Sequence, residues 1–136
     1  MIVGKNLDHE RAEYAYGCIE YIKREGDERE KKYHSAVRSS GALIQKSGLI
    51  QTLSFYISKT KENGRDEGQK SYTHYEFLAG HILKWIMGNN EKLSPLKLYL
   101  SLLECTDDEI IQKSQESKAL ILWLKRFSDA MLQSGD

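Results

Sequence analysis

Apolar positions along this chain recur every three or four residues and rarely alternate, which predicts helices rather than sheet. The longest such run lies near the C-terminus, from Thr106 to Leu132. It opens with Thr106-Asp107-Asp108-Glu109, a Thr followed three residues later by Glu. That is the capping-box signature, with acids at the positive end of the helix dipole. No Gly or Pro follows before Gly135, so one helix of about seven turns is expected. Its middle, Ala119-Leu120-Ile121-Leu122-Trp123-Leu124, is apolar on every side, the mark of a helix buried among others. Leu120, Leu124, Phe127 and Met131 form one stripe, widened by Ala119, Trp123 and Ala130. This reads as the central core helix.

Upstream, the same spacing predicts a first helix from Leu7 to Arg24, with Leu7, Ala15, Cys18, Ile19 and Ile22 inward and Tyr14, Tyr16 and Tyr21 broadening that face. Asp27-Glu28-Arg29-Glu30 reads as a second capping box. The helix it opens runs through Tyr33, Ala36, Val37, Leu43 and Ile44 towards Lys46, with Gly41 a candidate break. Ser47-Gly48 is a joint. A third helix carries Leu49, Ile50, Leu53, Tyr56 and Ile57, and its closing Lys59 and Lys61 suit a helix C-terminus. Glu62 to Lys70, with two glycines among charges, reads as an exposed mobile loop. Thr73-His74-Tyr75-Glu76 opens a fourth helix that Gly88 stops, and Ser94-Pro95 starts a short fifth one. The expected fold is all-α: a compact bundle of about six helices around the long C-terminal one, in a single domain spanning residues 1–136.

Twenty basic and twenty acidic side chains cancel, but unevenly. Residues 1–30 hold five basic and eight acidic ones, and residues 62–136 hold nine and twelve. Between them, Lys31, Lys32, Arg38, Lys46, Lys59 and Lys61 share a segment with no Asp or Glu. Such a segment either faces a polyanion or pairs with the acidic helices beside it. No apolar run approaches the roughly 20 residues that span a bilayer, and the N-terminal pattern leads one to expect no signal peptide. Cys18 and Cys105 are isolated, so a reducing cytoplasm is the simplest setting.

Little here points to chemistry. His74 and His81 lie seven apart, not at the three- or four-residue spacing of a helical metal pair. Asp107, Asp108 and Glu109 are explained by their helix N-terminus. Neither cysteine sits in a nucleophile motif, and no phosphate-loop pattern occurs. The expectation is no catalytic residue, no metal and no cofactor.

Two stretches taken together say more. Gly41-Ala42-Leu43-Ile44-Gln45-Lys46-Ser47-Gly48-Leu49-Ile50-Gln51-Thr52-Leu53-Ser54-Phe55-Tyr56 resembles a segment of the small subunit of type III-B CRISPR effector complexes, the Cmr module. Ser117-Lys118-Ala119-Leu120-Ile121-Leu122-Trp123-Leu124-Lys125-Arg126-Phe127-Ser128-Asp129-Ala130 resembles that family's closing helix, and Tyr75 to Ile86 its middle helix. The chain departs from the family pattern at Ser40-Gly41, where a Leu-Pro is usual, and at Ser47, where Asn is. It departs again at Ile50, where the family has a second Gly, and at Lys118, which replaces an acid.

The resemblance implies a non-catalytic subunit, stacked in several copies as an inner filament. Its partners would be the backbone and large subunits, neighbouring copies, and guide RNA paired to target RNA. Contacts would go to phosphates, since pairing with the guide reads sequence. Combined with the charge pattern, this makes Arg38, Lys46, Lys59, Lys125 and Arg126 the expected RNA-binding residues, with Gln45 and Gln51 as neutral hydrogen-bonding companions. Stacking needs two different patches on each copy, so the isolated chain would be monomeric or weakly associating. Trp85, Tyr99 and the tyrosines of the first helix are candidates for interface anchors or for core. The rival reading is a helical adapter, or a helix-turn-helix regulator with its turn at Ser47-Gly48. Leu49, Ile50, Leu53, Phe55, Tyr56 and Ile57 are too apolar for a recognition helix.

Overall fold

The computed structural model describes residues 6–62, 73–88 and 93–134. Six helices follow one another: α1 Leu7–Arg24, α2 Asp27–Ser47, α3 Leu49–Glu62, α4 His74–Met87, α5 Pro95–Leu102 and α6 Asp107–Met131. No strand occurs among the described residues. The fold is all-α, as the periodicity predicts. The expected loop lies, from residue 63 onward, outside the described residues.

Two of the capping boxes form as expected. Glu76 N donates to Thr73 Oγ1 at 3.1 Å while Thr73 N donates to Glu76 Oε1 at 3.1 Å. Thr106 and Glu109 repeat the exchange at 3.2 and 2.8 Å. The one expected at Asp27 does not form. Gly26 takes the N-cap position at φ +107° without a side-chain cap. Glu30 instead is buried and accepts a hydrogen bond from the backbone N–H of Gln133 at 3.2 Å, which ties the end of the chain to α2. Nor does Gly41 break its helix: α2 runs unbroken past it, and a Cβ there would sit 3.9 Å from Ile121 in ordinary contact.

α6 packs against α1, α2 and α4. α4, with Leu78, Ala79, Ile82, Leu83 and Ile86 buried, touches α2, α3, α5 and α6. Close passage of α5 is possible because Gly80 carries no side chain; an added Cβ would lie 3.4 Å from Pro95. Within α6, Leu120, Ile121 and Leu124 are buried, but Leu122 is 49% exposed. So the apolar middle of α6 is not enclosed all round. Leu7, assigned to the inner face of α1, also lies outside.

α2 and α6 run antiparallel. Stepping forward along α2, His34 meets Gln133 and Asp129, Gly41 meets Ile121, and Gln45 meets Lys118. This pairing fixes which charges share a surface.

Candidate nucleic-acid interface

At 100° per residue, Lys31, Ser35, Arg38, Ala42 and Gln45 follow one side of α2, and all are exposed. On α6 the same rule aligns Lys118, Leu122, Lys125 and Asp129, also exposed. The antiparallel packing sets the two rows side by side. Lys118 Nζ donates to Gln45 Oε1 at 3.1 Å, and Arg38 Nε stands 3.7 Å from Asp129 Oδ1. Lys46 is exposed in the last turn of α2, next to Gln45.

Asp129, the acid beside Arg38 on this face, is heavily subscribed, and the exposed Asp27 continues the α2 row in its first turn. The buried His34 lies with Nε2 2.7 Å from Asp129 Oδ1 and Nδ1 3.1 Å from the Gln133 carbonyl oxygen. The His34 hydrogen bond, then the nearby charges of Arg38 and Lys125, hold the Asp129 carboxyl below its usual range. The ionised Asp129 thus bonds His34 and faces Arg38 at that end of the face, and Lys46, Lys118 and Lys125 add positive charge along it. Lysines and arginines so arranged supply contacts to phosphates without base readout.

The other expected cations lie elsewhere. Arg126, about 100° round α6 from Lys125, places its guanidinium 5.2 Å from the Trp123 ring centroid. Trp123 Nε1 donates to Asp8 Oδ1 at 2.8 Å, so Arg126 belongs to the α1 side. The Trp123 bond, then Arg11 and Arg126, lowers the pKa of Asp8. Lys59 lies on α3 with Nζ 5.1 Å from the Phe55 ring centroid. The structure therefore gathers Arg38, Lys46 and Lys125 and sets Lys59 and Arg126 apart. Lys118, absent from the expected set, joins the face; its seven-residue spacing from Lys125 is the signal that marks it.

Several aromatic candidates have partners within the chain. Trp85 Nε1 donates to Glu116 Oε2 at 2.7 Å, Tyr14 OH to the His81 carbonyl at 2.7 Å, and Tyr99 OH to the Ile50 carbonyl at 3.2 Å. His81 Nδ1 lies 2.7 Å from Tyr33 OH, and lost hydration, helped by the Lys84 charge, pulls its pKa down to about 3. Burial pushes the Cys18 thiol up to about 12, which leaves it a poor nucleophile. Among the described residues no three His, Cys, Asp or Glu side chains cluster as metal ligands, and no helix is long and apolar enough to cross a membrane.

Fold and face together define a class: small all-helical proteins, here with lysines and an arginine along the α2–α6 side. Comparison supplies the particular family. The family model described as "CRISPR-associated protein (Cas_Cmr5)" matches residues 7–131, so the chain belongs to the Cmr5 family and is a Cmr small subunit. The fold is that of the X-ray crystal structure of a CRISPR-associated Cmr5 family protein from Thermus thermophilus. The two share a TM-score of 0.69 at 22% identity, over 95% of this chain and 100% of that one.

Proposed function

We propose that the protein is a non-catalytic subunit of a type III-B CRISPR ribonucleoprotein, stacked in several copies as an inner filament that lines the channel holding target RNA paired to guide RNA. It serves antiviral defence in the cytoplasm. Family membership supports the complex. The observation that carries the RNA-facing role is the α2–α6 surface, along which Arg38 and Lys125 stand near Asp129, itself bonded to His34, and Lys46 and Lys118 lie at the Gln45 end. Side chains of this kind hold a strand by its phosphates and leave sequence to the guide.

The regulator reading loses support from α3, whose Leu49, Leu53 and Tyr56 are buried against the rest of the bundle. A helix so committed has little left to lay in a major groove. The deciding experiment is to tag the protein in its native cell, purify it gently and sequence the RNA that accompanies it. Short RNAs with a common repeat-derived 5′ tag, together with several larger proteins, are expected. A clean monomer without RNA, from cells expressing a CRISPR locus, would return the chain to the helical adapters.

A further inference from the structure

Where α2 hands over to α3, Leu43, Ser47, Gln51, Thr52 and Phe55 line a groove of about 250 Å³. Its walls differ in chemistry. Leu43 and Phe55 are apolar, and Phe55 is 43% exposed although it is a large aromatic ring. Ser47, Gln51 and Thr52 are polar. Thr52 is only 3% exposed, and its hydroxyl has no hydrogen-bond partner among the described residues. Buried polar groups usually have one. Cations flank the groove: Lys46 adjoins Ser47, and Lys59 lies over Phe55 with Nζ 5.1 Å from the ring centroid. Beyond Lys46, the Lys118–Gln45 bond leads onto the basic face.

An aromatic wall, amide and hydroxyl groups beside it, and cations at either side match one ligand chemistry, that of a nucleotide. We propose that this groove receives one unstacked base of the RNA strand whose phosphates follow the α2–α6 face. The inference rests on the RNA-facing reading and deepens it. The base lays its π-face on Phe55, a contact every base can make. The Gln51 amide offers both donor and acceptor to the base edge, so it tolerates base identity. Lys46 and Lys59 meet the flanking phosphates.

The test uses the full chain and two fluorescein-labelled ten-nucleotide RNAs of equal charge, one oligouridine and one abasic, followed by fluorescence anisotropy at low salt. Wild type is expected to bind the base-bearing strand about tenfold more tightly. Phe55→Leu, which keeps apolar bulk at a half-exposed site, and Gln51→Ala should erase most of that difference without changing the salt dependence. Arg38→Ala and Lys118→Ala should weaken both strands alike. Equal wild-type affinity for the two strands, with both still weakened by Lys118→Ala, overturns the base site and leaves the groove to a protein segment, while the basic face stands. Phe55→Leu weakening both strands equally overturns it too. No binding of either strand overturns the face and the groove together.

Discussion

Lys118 Nζ donates a 3.1 Å hydrogen bond to Gln45 Oε1, across 73 residues of chain and the full width of the α2–α6 contact. The bond joins the two segments that carry the family likeness. It also places a lysine beside the acid-free stretch of α2 and so extends the run of cations to the end of that helix.

Reversing charge on that face should weaken RNA binding uniformly across sequences. Arg38→Glu, Lys118→Glu and Lys125→Glu are each expected to cost about tenfold at low salt, and each lost phosphate contact should lower the slope of log affinity against log salt by about 1. Arg126→Ala should do much less, because its guanidinium stacks on Trp123 on the α1 side. Anisotropy titrations between about 50 and 200 mM salt separate these outcomes. An Arg126 effect as large as that of Lys118 would move the RNA path to the other side of α6.

Helix caps were legible because they are local. Thr73 and Thr106 with their partners three residues on need nothing from the rest of the chain. The Asp27 box failed for a tertiary reason: Glu30, its would-be reciprocal partner, is drawn inward to the Gln133 amide, 103 residues away in sequence. Leu122 lies outside because, among the described residues, α1, α2, α3 and α4 pack on the other sides of α6. The acid-free stretch marked α2 as the helix that contributes Arg38 and Lys46 to the exposed α2–α6 surface. That α6 lies antiparallel beside it, and so contributes Lys118, is a packing fact that helical spacing on one element does not contain.

Arg11, Glu116 and Trp85 form a partly buried lock between α1, α6 and α4. Arg11 Nε and Nη2 meet Glu116 Oε2 and Oε1 at 2.6 and 2.7 Å, and Trp85 Nε1 adds 2.7 Å to Oε2. The Arg11 hydrogen bond, then that of Trp85, holds the Glu116 carboxyl below its usual range. Bidentate, charge-assisted bonds at this depth are costly to break from one side. Glu116→Ala should destabilise by about 2 kcal/mol and Trp85→Phe by about 1 kcal/mol, read from urea midpoints. A Glu116→Ala protein as stable as wild type would show that solvent replaces the lock at no cost.

Two open glycines should respond in opposite directions to alanine. Gly48, at φ +89° and ψ 161°, turns the chain from α2 into α3 in a region nearly closed to other residues. Gly48→Ala should cost about 1–3 kcal/mol although nothing lies within 4 Å of the new Cβ. Gly17 also has open space but sits inside α1, so Gly17→Ala should stabilise by about 0.5–1 kcal/mol. Thermal or urea unfolding reads both. If the two changes were equal in sign, backbone conformation would not be what distinguishes the sites.

Acid should unfold the protein through His81 before most carboxylates titrate. The hydroxyl of the fully buried Tyr33 and Nδ1 of His81 are hydrogen-bond partners at 2.7 Å, and burial holds the ring neutral. Native His81 is pulled down to about 3 against an ordinary 6.5. Between those values the unfolded chain binds a proton that the native ring refuses, so stability is full above about pH 6.5 and falls as pH drops towards 3. By about pH 4.5 the loss from this group should reach about 3 kcal/mol. His74, lowered to about 4 by burial and by Lys32 and Arg29, acts with the same sign. His81→Gln leaves an acceptor for Tyr33 but no proton site, so its urea midpoint should vary less between about pH 7 and pH 4.5 than that of wild type. Parallel pH profiles for the two proteins would assign the acid sensitivity to another group.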